Sequence, residues 1–238
     1  MNEQRRKFLL RALALGWLAG GSGWNKAALA SAFGKVPERL PEGRSVYKFR
    51  GEVTVNGRPV TMYTRIGPND TIVTGRDSYL IAAVGQDALL LRELTRLELN
   101  AKARLRQGLR LVTGAMLGVF RKRLGDERLN ITTPVATIGI RGTGVYAESR
   151  PERTYFCTCY GVTDIAHTAS PERIERVTSA HHDAPRWVLA APEQGKHVMP
   201  SPMHSHNDLE LITLEALVGR EVPFGEAGRI YQTPRWPR

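Results

Sequence analysis

Three short stretches hold most of the side chains in this sequence that could do chemistry beyond packing. The first is Cys157-Thr158-Cys159. In a strand, residues i and i+2 point to one face, so the two thiols lie side by side. An extended spacing of about 6.6 Å is at the limit of disulfide geometry, which disfavours a bridge between them. Two cofacial thiolates make half of a soft-metal site. The plainer alternative is a pair of small buried residues, as free cysteines often are. The second stretch is His181-His182-Asp183-Ala184-Pro185. On a strand the two rings would face opposite ways, so one ligand is the default and two require a turn. Pro185 favours such a break. The third is His204-Ser205-His206, cofacial if extended, with Asp208 placed to orient one ring. His167 and His197 are more isolated.

Together, Cys157, Cys159, His181, His182, His204 and His206 form a candidate set for a transition metal. Thiolate and imidazole select zinc, copper or iron over magnesium or calcium. The ligands come from three segments whose convergence the sequence leaves open. No catalytic set emerges: there is no G-x-S-x-G elbow, no H-E-x-x-H and no glycine-rich phosphate loop. A cysteine nucleophile with His181 as base fits poorly with an oxidising compartment. The expectation is a protein that binds something and is not an enzyme.

The elements that must position these residues read as strands. From Val46 onward, short runs rich in strand formers alternate with turn signals every eight to twelve residues. Asn56-Gly57 between Glu52–Val55 and Pro59–Tyr63 marks a hairpin. Thr71–Gly75, Ser78–Val84, Ala88–Leu91 and Leu94–Leu99 follow. Gly108–Val112 and Ala115–Phe120 read as two strands with Thr113-Gly114 as their turn, and residues 152–166 as two strands around Tyr160-Gly161. The fold class expected is mainly β, a roll, sandwich or solenoid of many short strands. Residues 167–206 hold all six histidines and only short strand-like pieces such as Trp187–Leu189. A C-terminal extension over 167–238 carries one short helix at about 207–219, opened by Asn207-Asp208-Leu209-Glu210 and stopped by Gly219. Leu209, Ile212, Leu214, Leu217 and Val218 would line its inner face.

Ile131 to Tyr146, ITTPVATIGIRGTGVY, is the most distinctive strand pair. Val135 to Ile140 alternate with period 2, Pro134 sits at the strand start, and Arg141-Gly142-Thr143-Gly144 supplies glycines at a corner. By pattern alone this is a β-corner of any sandwich or roll. The residues Thr133 to Gly144 also resemble the TP-(x)n-IRGT segment of the FecR-type periplasmic domain of iron-dicitrate sensing systems. The resemblance covers roughly residues 44 to 166. It implies a stranded, sensory or partner-binding domain over 46–166, lying in the periplasm. The anti-sigma members also carry a cytoplasmic helical domain and a membrane span, for which there is no room ahead of Val46. The expectation is therefore a FecR-like fold and compartment without the sigma-factor output, with a periplasmic metalloprotein built on Cys157, Cys159 and the histidines, or an envelope scaffold module, as the alternatives.

The N-terminus reads as a targeting segment over residues 1–32. Arg5-Arg6 precede Phe8-Leu9, the apolar stretch Ala12–Gly20 is short, and Lys26 places a charge late. Ala28-Leu29-Ala30 and Ala30-Ser31-Ala32 offer cleavage after Ala30 or Ala32. This resembles a twin-arginine signal. An uncleaved anchoring helix is the alternative, and the only membrane contact expected. Residues 33–45, with two prolines, read as a linker. Removing the five bases and one acid of residues 1–32 from the net charge of +11 leaves +7. Those bases are scattered without interleaved aromatics, so nucleic acid is not an expected partner. An envelope protein or a small ligand is.

Overall fold

The structure is a computed structural model that describes residues 36–100, 107–123 and 129–224. The expected signal segment, with Arg5 and Arg6, lies outside the described residues. The described residues from Val36 onward form one compact unit.

Fifteen strands and one helix make up the described fold. In order they are β1 (Val46–Arg50), β2 (Val53–Val55), β3 (Arg58–Pro59), β4 (Thr71–Thr74), β5 (Tyr79–Val84), β6 (Asp87–Leu91) and β7 (Arg96–Asn100). Then come β8 (Gln107–Val119), β9 (Leu129–Thr132), β10 (Ala136–Ile140), β11 (Gly144–Ser149) and β12 (Arg153–His167). The series closes with β13 (Ser170–Ser179), β14 (Arg186–Glu193), β15 (Lys196–Pro200) and helix α1 (Asp208–Leu217). The fold is mainly β with one short C-terminal helix, as the strand rhythm predicts.

The strands form two sheets that share their two longest members. One sheet runs β1-β5-β6-β8-β11-β12-β14-β15. The other runs β3-β2-β4-β7-β8-β9-β10-β12-β13, with β8 and β9 parallel and the remaining pairs antiparallel. Thr113-Gly114 and Tyr160-Gly161 are not turns between strand pairs. They are bends at which β8 and β12 each leave one sheet and enter the other. Gly114 (φ +81) and Gly161 (φ +94) take backbone conformations that side chains disfavour. A Cβ on Gly114 would meet Thr95 Cα at 2.5 Å, and one on Gly161 would meet Thr143 Cγ2 at 2.5 Å. The Arg141–Gly144 corner does the same job between β10 and β11, which lie in different sheets. β4 and β5, neighbours in sequence, are likewise divided between the sheets.

The main core fills the space between the sheets. Leu89, Leu91, Met116, Val145, Ala147 and Phe156 point inward from the first sheet toward Ile72, Leu97, Leu111, Ile131, Ile138 and Ile165 of the second. Period-2 alternation sends the intervening residues to the first sheet's other face. There Leu90, Leu117, Tyr146, Tyr155, Cys157 and Cys159 pack beneath α1 through Leu211, Leu214 and Leu217. The helix face matches expectation only in part: Leu214 and Leu217 turn inward as expected, but Asp208 and Leu211 join them while Leu209, Ile212 and Val218 are only half-buried. Nor is the histidine-rich region poor in structure, since it supplies β13, β14 and β15. Among the described residues, no helix is long and apolar enough to cross a membrane.

Candidate metal centre

Cys157 and Cys159 sit on β12 just before its bend. Tyr146 of β11 is the register partner of Cys157 on one side. On the other side β14 begins only at Arg186, opposite Phe156, and β13 ends at Ser179, opposite Gly161. The chain from β13 to β14 must therefore cross between sheets over the intervening stretch of β12. That crossing carries His181 and His182. Asp183 builds its turn, accepting from the backbone N–H groups of Ala180 (2.8 Å) and His181 (3.3 Å). His182 adopts a left-handed backbone (φ +56) and donates its N–H to the Cys159 carbonyl at 2.9 Å. The turn that two ligands on adjacent residues would need is thus present. It aims the two rings at one carboxylate, Asp208, and brings only one of them to the thiols.

The fourth side chain arrives from the loop before α1. Ser205 also has a left-handed backbone (φ +70), which separates the rings of His204 and His206. His206 turns inward and is fully buried. His204 turns away, its ring centroid 3.8 Å from that of Tyr155 and its Nδ1 3.6 Å from Glu148 Oε1.

Four donor atoms converge as a result. Cys157 Sγ lies 3.6 Å from His182 Nδ1, Cys159 Sγ 3.3 Å from His206 Nε2, and the two nitrogens are 3.0 Å apart. All four atoms fall within 4.8 Å of one another, and all four residues are buried. A tetrahedral ion with metal–sulfur bonds of about 2.3 Å and metal–nitrogen bonds of about 2.0 Å needs S···N edges of about 3.5 Å and an N···N edge of about 3.3 Å. The three edges given, 3.6, 3.3 and 3.0 Å, are each near those values. Both cysteines are free thiols.

The second nitrogen of each histidine is occupied in the way metal ligands require. His182 Nε2 is 3.0 Å from Asp208 Oδ1. His206 Nδ1 is 2.8 Å from the His204 carbonyl oxygen. Such acceptors fix the tautomer and leave the facing nitrogen's lone pair for an ion. Asp208 therefore orients His182 and not, as the spacing suggests, His204 or His206. The Tyr146 ring stacks on His206 at 4.5 Å. Arg92 donates to the Ser205 carbonyl at 2.8 Å and to Glu210 at 2.9 Å, pinning the loop that carries His206. Sequence reasoning misses Tyr146 and Arg92, because each lies far along the chain and has no motif of its own.

The electrostatics suit a cation. Burial pushes the Cys157 thiol up, but hydrogen bonds with Cys159, His182 and His206 outweigh it and hold the thiol well below its ordinary range. Burial and the neighbouring Cys157 push Cys159 well above its own. Burial would lower His182, yet hydrogen bonds to Asp208 and Cys157 raise it to about 9. One thiolate is thus already favoured, and an ion would displace to solvent the Cys159 proton and the proton that the raised His182 holds on Nδ1.

No family model matches the chain, and none of the curated proteins compared matches it. Among solved structures, the chain is similar to a candidate anti-sigma factor from Parabacteroides distasonis ATCC 8503, known from two crystal structures. Each shares 10% sequence identity with a TM-score of 0.46 over 55% of this chain and 58% of the other.

Proposed function

We propose that this is an exported, non-enzymatic binding protein whose β domain holds a transition metal, zinc first, on Cys157, Cys159, His182 and His206. The observation that carries this reading is the convergence of four buried soft donors at tetrahedral spacing, with the second nitrogen of each histidine already engaged. Four protein donors leave no open position, which is the character of a structural or sensing site and not of a hydrolytic one. The resemblance of Thr133–Gly144 to the FecR-type segment supports a sensory or partner-binding role in the periplasm, with an envelope protein or a small ligand as the second participant.

Metal analysis of protein isolated from the periplasm tests the reading. At least one equivalent of zinc, copper or iron is expected in the wild type, and about one equivalent less in the Cys157→Ser, Cys159→Ser double variant. His204→Ala should keep its metal. Equal metal in the wild type and the double variant would overturn the assignment.

A further inference from the structure

The ring of His182 faces two ways. Its Nδ1 looks toward the thiols and His206, and its Nε2 toward Asp208. We propose that His181, His182 and Asp208 hold a second, exchangeable divalent ion, bridged to the first by the His182 imidazole. The inference rests on the four-donor reading for its first ion.

His181 Nε2 is 3.0 Å from each oxygen of Asp208, and His182 Nε2 is 3.0 Å from Oδ1. Donor atoms from the three residues lie within 4.8 Å of one another. Nitrogen and oxygen ligands at about 2.0–2.2 Å from an ion sit at comparable separations. A hydrogen bond from His182 alone would suffice to fix that ring's tautomer. The protein goes further, and the left-handed backbone at His182 turns two consecutive rings onto one carboxylate.

The Asp208 side chain is 3% exposed, with both imidazoles 3.0 Å from it. The charges of a second dication balance there. On binding it displaces the Nε2 proton of His182 to solvent, leaving a bridging imidazolate. Two thiolates, one carboxylate and one imidazolate then balance two dications.

The two sites differ in kind. The first has two sulfurs and is closed. The second has no sulfur and three protein donors, so water completes its shell. His181 gives it access to solvent, with a side chain 16% exposed against 0% for His182. Two imidazoles and a carboxylate accept zinc, cobalt, nickel, copper(II) or iron(II).

Cobalt(II) titration of the reduced, metal-free full chain distinguishes the outcomes. Two equivalents are expected. The first should bring thiolate-to-cobalt charge-transfer absorption, and the second only ligand-field bands, with magnetic coupling between the ions. His181→Ala, checked for folding by circular dichroism, should lower saturation from two equivalents to one and leave the thiolate band intact. Saturation of the wild type at one equivalent, or a second equivalent that survives His181→Ala, would overturn the second site and leave the first standing. Absence of the thiolate band in the wild type would instead overturn the four-donor reading. Should His181→Ala misfold, magnetic coupling in the wild type decides alone: two uncoupled cobalt ions would exclude the bridge.

Discussion

A carboxylate held against an imidazole decides which of its nitrogens is left to bind. Asp208 does this for His182, so Asp208→Asn should weaken metal binding roughly 10–100-fold without removing a ligand from the four-donor set. Competition against a chelator of known affinity measures it, and an unchanged affinity would show that Asp208 plays no part. The metal-free protein should also carry a signature in pH. His182 is raised to about 9, above an unfolded value of about 6.5. Its contribution to stability is full below that unfolded value and is lost as pH rises through about 9. Cys157 is shifted the other way, so its contribution is present above the unfolded thiol value of about 8.5 and is lost as pH falls through its depressed value. Where both titrate below about 8.5 the two slopes oppose each other. Cys157→Ser removes the thiol's slope and one of the contacts that raise His182, leaving Asp208 to hold it raised over a narrower range, so denaturant midpoints should fall with rising pH just above about 6.5; midpoints that stay level there would break the argument. The cofacial cysteines were legible at this scale because strand period alone places them. Which histidines join them was not, since one left-handed residue at His182 and another at Ser205 decide it, and neither position holds a glycine to announce the turn.

At the scale of elements, the site is a consequence of where β12 changes sheets. Strand existence was legible from alternation and turn residues, but the bends in β8 and β12 were not. Glycine in a strand reads equally as turn or bulge until its partners are known. The Arg141–Gly144 corner shows how firmly such positions are held. Gly142 has φ +85, and a Cβ there would meet Lys122 N at 2.9 Å. Gly142→Val should cost on the order of 1–3 kcal/mol, read as a lowered denaturant midpoint. Helix α1 has the opposite character. With ten residues it is too short to stand alone in water. The Asn207–Glu210 capping box and three buried leucines hold it, each leucine contributing roughly 1.5–3 kcal/mol. The metal would add a cross-link immediately before its first turn, through His206. Chelation should therefore raise hydrogen exchange and protease cleavage over residues 201–220 more than in β10 or β11. Equal changes in both regions would place the metal's effect elsewhere.

At the scale of the molecule, the proposed export of the chain and the proposed metal set would bear on one another. Free, solvent-reachable thiols are readily oxidised in the periplasm. Cys157 and Cys159 are buried and badly spaced for a mutual bridge, and a bound ion would protect them further. Export through the proposed twin-arginine route, read from Arg5-Arg6, would give a time for loading. A chain exported folded would close its site in the reducing cytoplasm, where thiols are intact and the ion is chosen by cytoplasmic availability. Replacing Arg5 and Arg6 by lysine should leave precursor, already carrying metal, in the cytoplasm. Replacing the whole segment by a signal for unfolded export should move folding to the periplasm, where thiol oxidation competes with loading. That protein should hold less metal per chain and show fewer titratable thiols than the one exported by its own segment. Thiol titration and metal analysis of the two periplasmic proteins make the comparison, and equal values in both would remove the link between export route and metal.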